Sequence, residues 1–172
     1  MSTTDASTVF DALAAEIAQN NAHGRVLVAI DGAGAETTRR FADALADAAR
    51  AAGRTPFRAS AERPEQYAGD EDASLLRAVL AGFRDGALER DDLITEVPDN
   101  ALLIVDGRFL LSPRLRGAWH YRVWLEGDSM SDEAAYAQRL RYVRDDEPRG
   151  AAEAIYDVSG PDAPVRTFSD SC

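Results

Sequence analysis

Residues 25–38 read RVLVAI-DGAGAETT, and the order of those two halves decides the fold. The first half is an apolar run rich in β-branched side chains, the pattern of a strand buried on both faces. The second half is rich in glycine and leads into a helix predicted from about Thr37 to Ala52. That helix turns Phe41, Leu45, Ala48 and Ala49 inward and stops at Gly53. Strand, glycine loop and helix in this order aim backbone N–H groups and a helix N-terminus at a phosphate.

The same alternation continues on both sides. Residues 5–20 form an amphipathic helix on Val9, Leu13 and Ile17, with Phe10 beside them. Strands are expected at Thr55–Ser60, Ala101–Val105 and Tyr121–Leu125, with short end strands at Ile155–Val158 and Val165–Phe168. Helices are expected over 73–84 and 131–144, with helical turns at Pro113–Gly117 and after Pro148. Strands alternating with helices give an α/β fold with a mostly parallel sheet. In such a sheet ligands bind at the carboxyl ends of the strands.

The 172 residues suit a single domain, 1–172, and 45% apolar residues suffice for a core. Thirty acids against 19 bases leave a net charge of -11, which argues against nucleic acid and anionic membranes as partners. All the bases are arginine. The absence of lysine excludes a Schiff base, a lysine general base and a lysine grip on phosphate. His23, His120 and Cys172 cannot build a Cys/His zinc site. One cysteine allows no intrachain disulfide, no apolar run reaches membrane-spanning length, and the N-terminus around Asp5 lacks a basic region. The expected location is the cytoplasm.

The general phosphate loop reads G-x-x-x-x-G-K-[ST]. Here Gly32, Ala33, Gly34, Ala35, Glu36, Thr37 and Thr38 occupy the corresponding stretch, with Thr37 as the hydroxyl residue and Glu36 in the lysine place. Further on, residues 103–111 read LIVDGRFLL, and residues 113–125 run PRLRGAWHYRVWL. The tail carries PR at 148–149, AIYD at 154–157 and FSDSC at 168–172. These strings resemble the uridine kinase-like branch of P-loop nucleoside kinases, over most of the chain from Arg25 onward. The most specific stretch is 103–125.

The resemblance implies a P-loop NTPase-like three-layer sandwich with about five mostly parallel strands. It implies an ATP-dependent nucleoside or small-metabolite phosphotransferase using ATP and Mg²⁺, with Thr37 and Asp106 on the metal side. It also implies an N-terminal helix within 1–22, a shortened lid within 126–147, and a nucleotide or small-molecule partner, with a homodimer as a candidate assembly.

Three departures fall on the chemistry. The loop runs five steps from Asp31 to Glu36, about two fewer than the family takes to its lysine. Glu36 also replaces a cation by an anion, and one unit-charge contact is worth about 4 kcal/mol at 4 Å and an effective dielectric near 20. The family's aspartate base after the second strand is missing, and Glu62 is the nearest carboxylate that could act as base. The lid's arginines are missing until Arg139. Phosphoryl transfer depends on positioning and charge neutralisation, so impaired catalysis is the expectation.

Blander readings stand beside these. Residues 31–38 could be an ordinary βα turn capped by Asp31 or Thr37, with Glu36 a favourable anion at a helix start. Asp106 could be a turn residue before Gly107. Trp119, Trp124 and His120 read as structural, and Arg139, Arg141 and Arg144 as a salt-bridged surface. The functional alternatives are a noncatalytic nucleotide- or partner-binding protein and, from Gly32-x-Gly34, a Rossmann-type dinucleotide protein.

Overall fold

A computed structural model of the chain describes residues 5–61, 74–127 and 133–168. Helix α1 (Ala6–Asn20) starts at Asp5, whose carboxylate accepts the Ser7 hydroxyl at 3.0 Å and the Ser7 N–H at 3.5 Å. It buries Phe10, Leu13, Ala14 and Ile17 on one stripe. Strand β1 (Val26–Asp31) is buried along its whole length. Helix α2 (Ala35–Ala51) follows after only three residues. Its start lies two residues before the expected Thr37, and its N-cap is Gly34, with no side-chain cap bond. Neither Asp31 nor Thr37 caps it.

The chain continues through β2 (Thr55–Ala61), α3 (Ser74–Asp85), β3 (Ala87–Arg90), β4 (Leu93–Glu96), β5 (Ala101–Gly107) and β6 (Tyr121–Glu126). It closes with α4 (Glu133–Asp146), β7 (Ala154–Asp157) and β8 (Val165–Thr167). A 3₁₀ turn covers Arg116–Ala118, later than the turn expected from Pro113, and a second covers Pro148–Ala151.

Six strands make one sheet in the order β2-β5-β1-β6-β7-β8, where about five were expected. The pairings are parallel except β7 with β8. Strand β1 sits between β5 and β6, and β2 lies outside β5. A Rossmann sheet instead seats its second strand beside its first.

Alternation of side chains divides the core into two layers. Val28, Ile30, Ile104 and Val123 pack against Phe41 and Leu45 of α2 and Leu13 and Ile17 of α1. Leu27, Ala29, Leu103 and Val105 pack against Leu80 and Phe83 of α3 and Tyr142 of α4. The result is helices, sheet, helices. Trp119 and Trp124 are buried, as expected. His120 is structural too: its Nδ1 accepts the Leu27 N–H at 2.9 Å.

The β3–β4 hairpin was not expected. It forms its own two-stranded sheet, turning through Asp91 and Asp92 at φ 50° and 63°. Arg25 fastens it by donating to the Val97 and Arg84 carbonyls, with Asp99 at 2.9 Å.

Candidate functional site

The carboxyl ends of β1 and β5 carry two buried aspartates on opposite faces of the sheet. Ile30 is the register partner of Asp106, so Asp31 falls on the α3/α4 side and Asp106 on the α2 side. Between β1 and α2 stand only Gly32, Ala33 and Gly34. Gly32 has φ 109°, and a Cβ there would lie 2.3 Å from the Leu125 carbonyl oxygen. Its N–H donates to Asp31 Oδ1 at 2.7 Å, and Ala33 is buried. The turn is closed against β6, and glycine is needed at its first position for both conformation and space.

The remaining loop residues diverge. Ala35 is exposed and opens the helix. Glu36 has its side chain 83% exposed, with Arg40 at 4.0 Å. Thr37 is half-buried, while Thr38 is buried and donates its hydroxyl to the Ala35 carbonyl at 3.1 Å. Glu36 therefore does not fill the turn; it sits one turn from Arg40 on the outside of α2.

Asp106 is 3% exposed and already engaged. Its Oδ1 accepts from Arg58 Nη2 at 2.7 Å and from the Ser60 hydroxyl at 2.8 Å. Arg58 also donates Nε to Asp43 at 2.9 Å and Nη1 to the Ile104 carbonyl at 2.7 Å. One guanidinium thus ties β2, β5 and α2 together. Both donors hold Oδ1, so a Mg²⁺ ion taken by Oδ2 would stand beside that cation, a poor fit for the expected metal. Among the described residues no cluster of three or more His, Cys, Asp or Glu could hold a metal ion. Glu62 and Cys172 lie outside the described residues.

Two solved structures share this architecture. A possible uridine kinase from Bacillus stearothermophilus superposes with a TM-score of 0.66 at 17% identity, covering 85% of this chain and 96% of its own. This chain has the uridine kinase-like P-loop kinase fold. A candidate fructose transport system kinase from a Silicibacter species gives a TM-score of 0.52 at 15% identity, covering 83% of this chain and 91% of its own. No family model and no curated protein sequence matches the chain.

Within this kinase fold the sequence reading missed Asp31 as a site residue and Arg58 altogether. Asp31 Oδ2 accepts the Tyr142 hydroxyl at 2.8 Å and the Leu111 N–H at 3.3 Å. Burial pushes its carboxyl up to about 6, against the pull of those hydrogen bonds. Burial and the neighbouring Asp31 push the Tyr142 phenol far above its usual range. Arg108, Phe109, Trp124 and Arg139 close over this pair, leaving a cavity of only about 20 Å³. The signal for Asp31 was present in the sequence: an acid ending an apolar strand must find donors. Arg58 carried a similar signal, a charge in the middle of a strand.

The kinase fold keeps larger spaces at its flanks. A cavity of about 380 Å³ adjoins the first turns of α2, lined by Thr37, Arg40, Val158, Gly160 and Pro161 among others. Another of about 250 Å³ lies between β2 and the hairpin, with Arg58, Ser60 and Arg90 on its wall. No helix among the described residues is long and apolar enough to cross a membrane.

Proposed function

We propose that this kinase-fold protein binds a nucleotide or related small phosphorylated molecule without transferring its phosphoryl group efficiently. The observation that carries this reading is the capture of Asp106 by Arg58 and Ser60. Both donors hold Oδ1, so a metal at this carboxylate would be taken by Oδ2 and would stand beside the guanidinium, whose charge repels it. The closed three-residue turn supports the same reading, because a triphosphate needs a longer run of open N–H groups. The binding half rests on the 380 Å³ cavity, where Thr37 and Arg40 stand beside the positive end of α2. Likeness to a possible uridine kinase points to a nucleoside or nucleotide as its occupant.

Calorimetric titration with ATP, with and without Mg²⁺, tests the first half. Incubation with labelled ATP and uridine or cytidine tests the second. ATP binding that ignores Mg²⁺, with no transfer above background, is expected. Glu36→Lys leaves transfer at background, because the side chain at 36 points to solvent, while release of Arg40 tightens ATP binding. Phosphorylation of uridine or cytidine at an ordinary rate, abolished by Asp106→Ala, overturns the reading and restores an active kinase. Absence of any nucleotide binding removes its binding half.

A further inference from the structure

Among the described residues, every half-buried arginine but one donates to a carboxylate or a carbonyl. The exception is Arg108, which has no acceptor and no carboxylate within reach. It follows directly on β5, and its guanidinium lies over the Phe109 ring, 5.6 Å from the centroid. None of its nitrogens is enclosed, so an incoming acceptor reaches them from solvent. Phe109 holds φ 64°, a left-handed conformation that a bulky residue adopts at a cost in backbone strain. In that conformation its ring meets Tyr142, 5.0 Å between centroids, while carrying Arg108.

Arg139 of α4 stands at the same opening. Its guanidinium lies over Trp124 at 5.7 Å, its Nη2 reaches the Leu125 carbonyl at 3.5 Å, and no carboxylate among the described residues pairs with it. Both arginines line the cavity of about 20 Å³ that contains Asp31. Asp31 is buried and pairs with neither; its oxygens accept from Gly32, Tyr142 and Leu111. Two cations thus share one partly desolvated opening without an anion between them. Their repulsion and lost hydration are costs that an incoming anion recovers.

Charge and shape decide the kind of anion. At pH 7.5 Asp31 is ionised, because burial lifts its carboxyl only to about 6. Two arginines and one carboxylate leave a net charge of +1, which a monoanion balances and a phosphate dianion exceeds. The cavity has room for about one water molecule, so a ligand's charged group must lie across its mouth. A planar carboxylate does so with two parallel hydrogen bonds to a guanidinium fork. We propose that Arg108 and Arg139 bind the carboxylate of a small organic acid at this mouth. The site is independent of the nucleotide reading, since it shares no lining residue with the cavity beside Thr37.

The test titrates sodium acetate into the full chain at pH 7.5, with chloride holding the ionic strength constant, and follows the arginine Cζ signals by NMR. Inorganic phosphate is the counterpart. Saturable shifts at Arg108 and Arg139, with phosphate at least tenfold weaker, are expected. Arg108→Gln keeps a polar side chain over Phe109 but removes the cation and its fork, and weakens acetate about tenfold. Arg139→Gln gives a similar loss from the other side of the mouth, so the test survives misfolding of either variant. Arg141→Gln removes a charge from an exposed position of α4 outside the opening and leaves acetate binding within twofold. No saturable shift, phosphate binding as tightly as acetate, or equal weakening by Arg108→Gln and Arg141→Gln overturns the proposal.

Discussion

At the scale of single residues, two buried aspartates end two adjacent strands, and each is satisfied by protein groups. Arg58 holds Asp106 from a strand position where a charge is unusual, with its side chain 21% exposed. Removing the guanidinium leaves a buried carboxylate with Ser60 as its donor among the described residues, so Arg58→Met lowers the unfolding free energy by about 3 kcal/mol. Urea denaturation measures this, and a loss under 1 kcal/mol would mean that water reaches Asp106. Asp31 makes a pH prediction of opposite sign to the usual carboxylate. Its folded pKa of about 6 lies above the ordinary 3.8, so the folded state holds the proton more tightly. The stabilisation is complete below 3.8 and is lost as the pH rises through 6. Relative to Asp31→Asn, which does not titrate, wild type loses about 3 kcal/mol between pH 3.5 and 7, because burial lifts the carboxyl from 3.8 to about 6. Parallel stability curves for the two proteins would show that the Tyr142 and Leu111 hydrogen bonds, not burial, govern the carboxyl.

At the scale of elements, the sequence revealed what was periodic and hid what was short. Strands β1 and β5 were legible because unbroken apolar runs of six residues or so have no other economical burial. Helix α1 was legible from its stripe of Val9, Leu13 and Ile17. The β3–β4 hairpin was not, for a physical reason: its strands are four residues each, β4 is exposed along its length, and Leu93 and Ile94 face solvent. Alternation cannot signal burial where little is buried. Its turn was equally hidden, because Asp91-Asp92 occupies the left-handed region that Asn-Gly or Asp-Gly would advertise. The same logic yields a substitution. Asp92→Gly relieves the left-handed penalty at φ 63° and stabilises the hairpin by about 0.5 kcal/mol, after the entropy glycine adds to the unfolded chain. Hydrogen exchange at the hairpin amides Leu88 and Thr95, register partners across it, should slow about twofold; faster exchange would mean that the Asp92 carboxylate supports the turn. At the candidate site, Gly32 and Asp106 were legible as positions. Their partners Leu125 and Arg58 were not, because those contacts join residues distant in sequence.

At the scale of the whole molecule, fold and chemistry separate. The fold matches that of a possible uridine kinase at a TM-score of 0.66 and 17% identity, while the aspartates at the ends of β1 and β5 are engaged with groups of this chain. Burial of apolar side chains specifies the layers, and it tolerates any polar pairing at the strand ends that leaves no donor or acceptor unmet. The surface follows a different constraint. A net charge of -11 on 172 residues repels itself in the compact state. The ion pairs among the described residues oppose this, but several are exposed, such as Glu36–Arg40 and Asp47–Arg50, and exposed pairs contribute about 0–1 kcal/mol each. Salt screens both effects, and the unbalanced acids outnumber the exposed pairs. Raising ionic strength from about 0.01 to 0.5 M shortens the screening length from about 30 Å to a few ångströms, which removes long-range repulsion first. The melting temperature of the chain at pH 7.5 should therefore rise with sodium chloride by several degrees and level off near 0.5 M. A fall over the same range would show that the arginine–carboxylate pairs, rather than the surplus of acids, dominate the electrostatics of this surface.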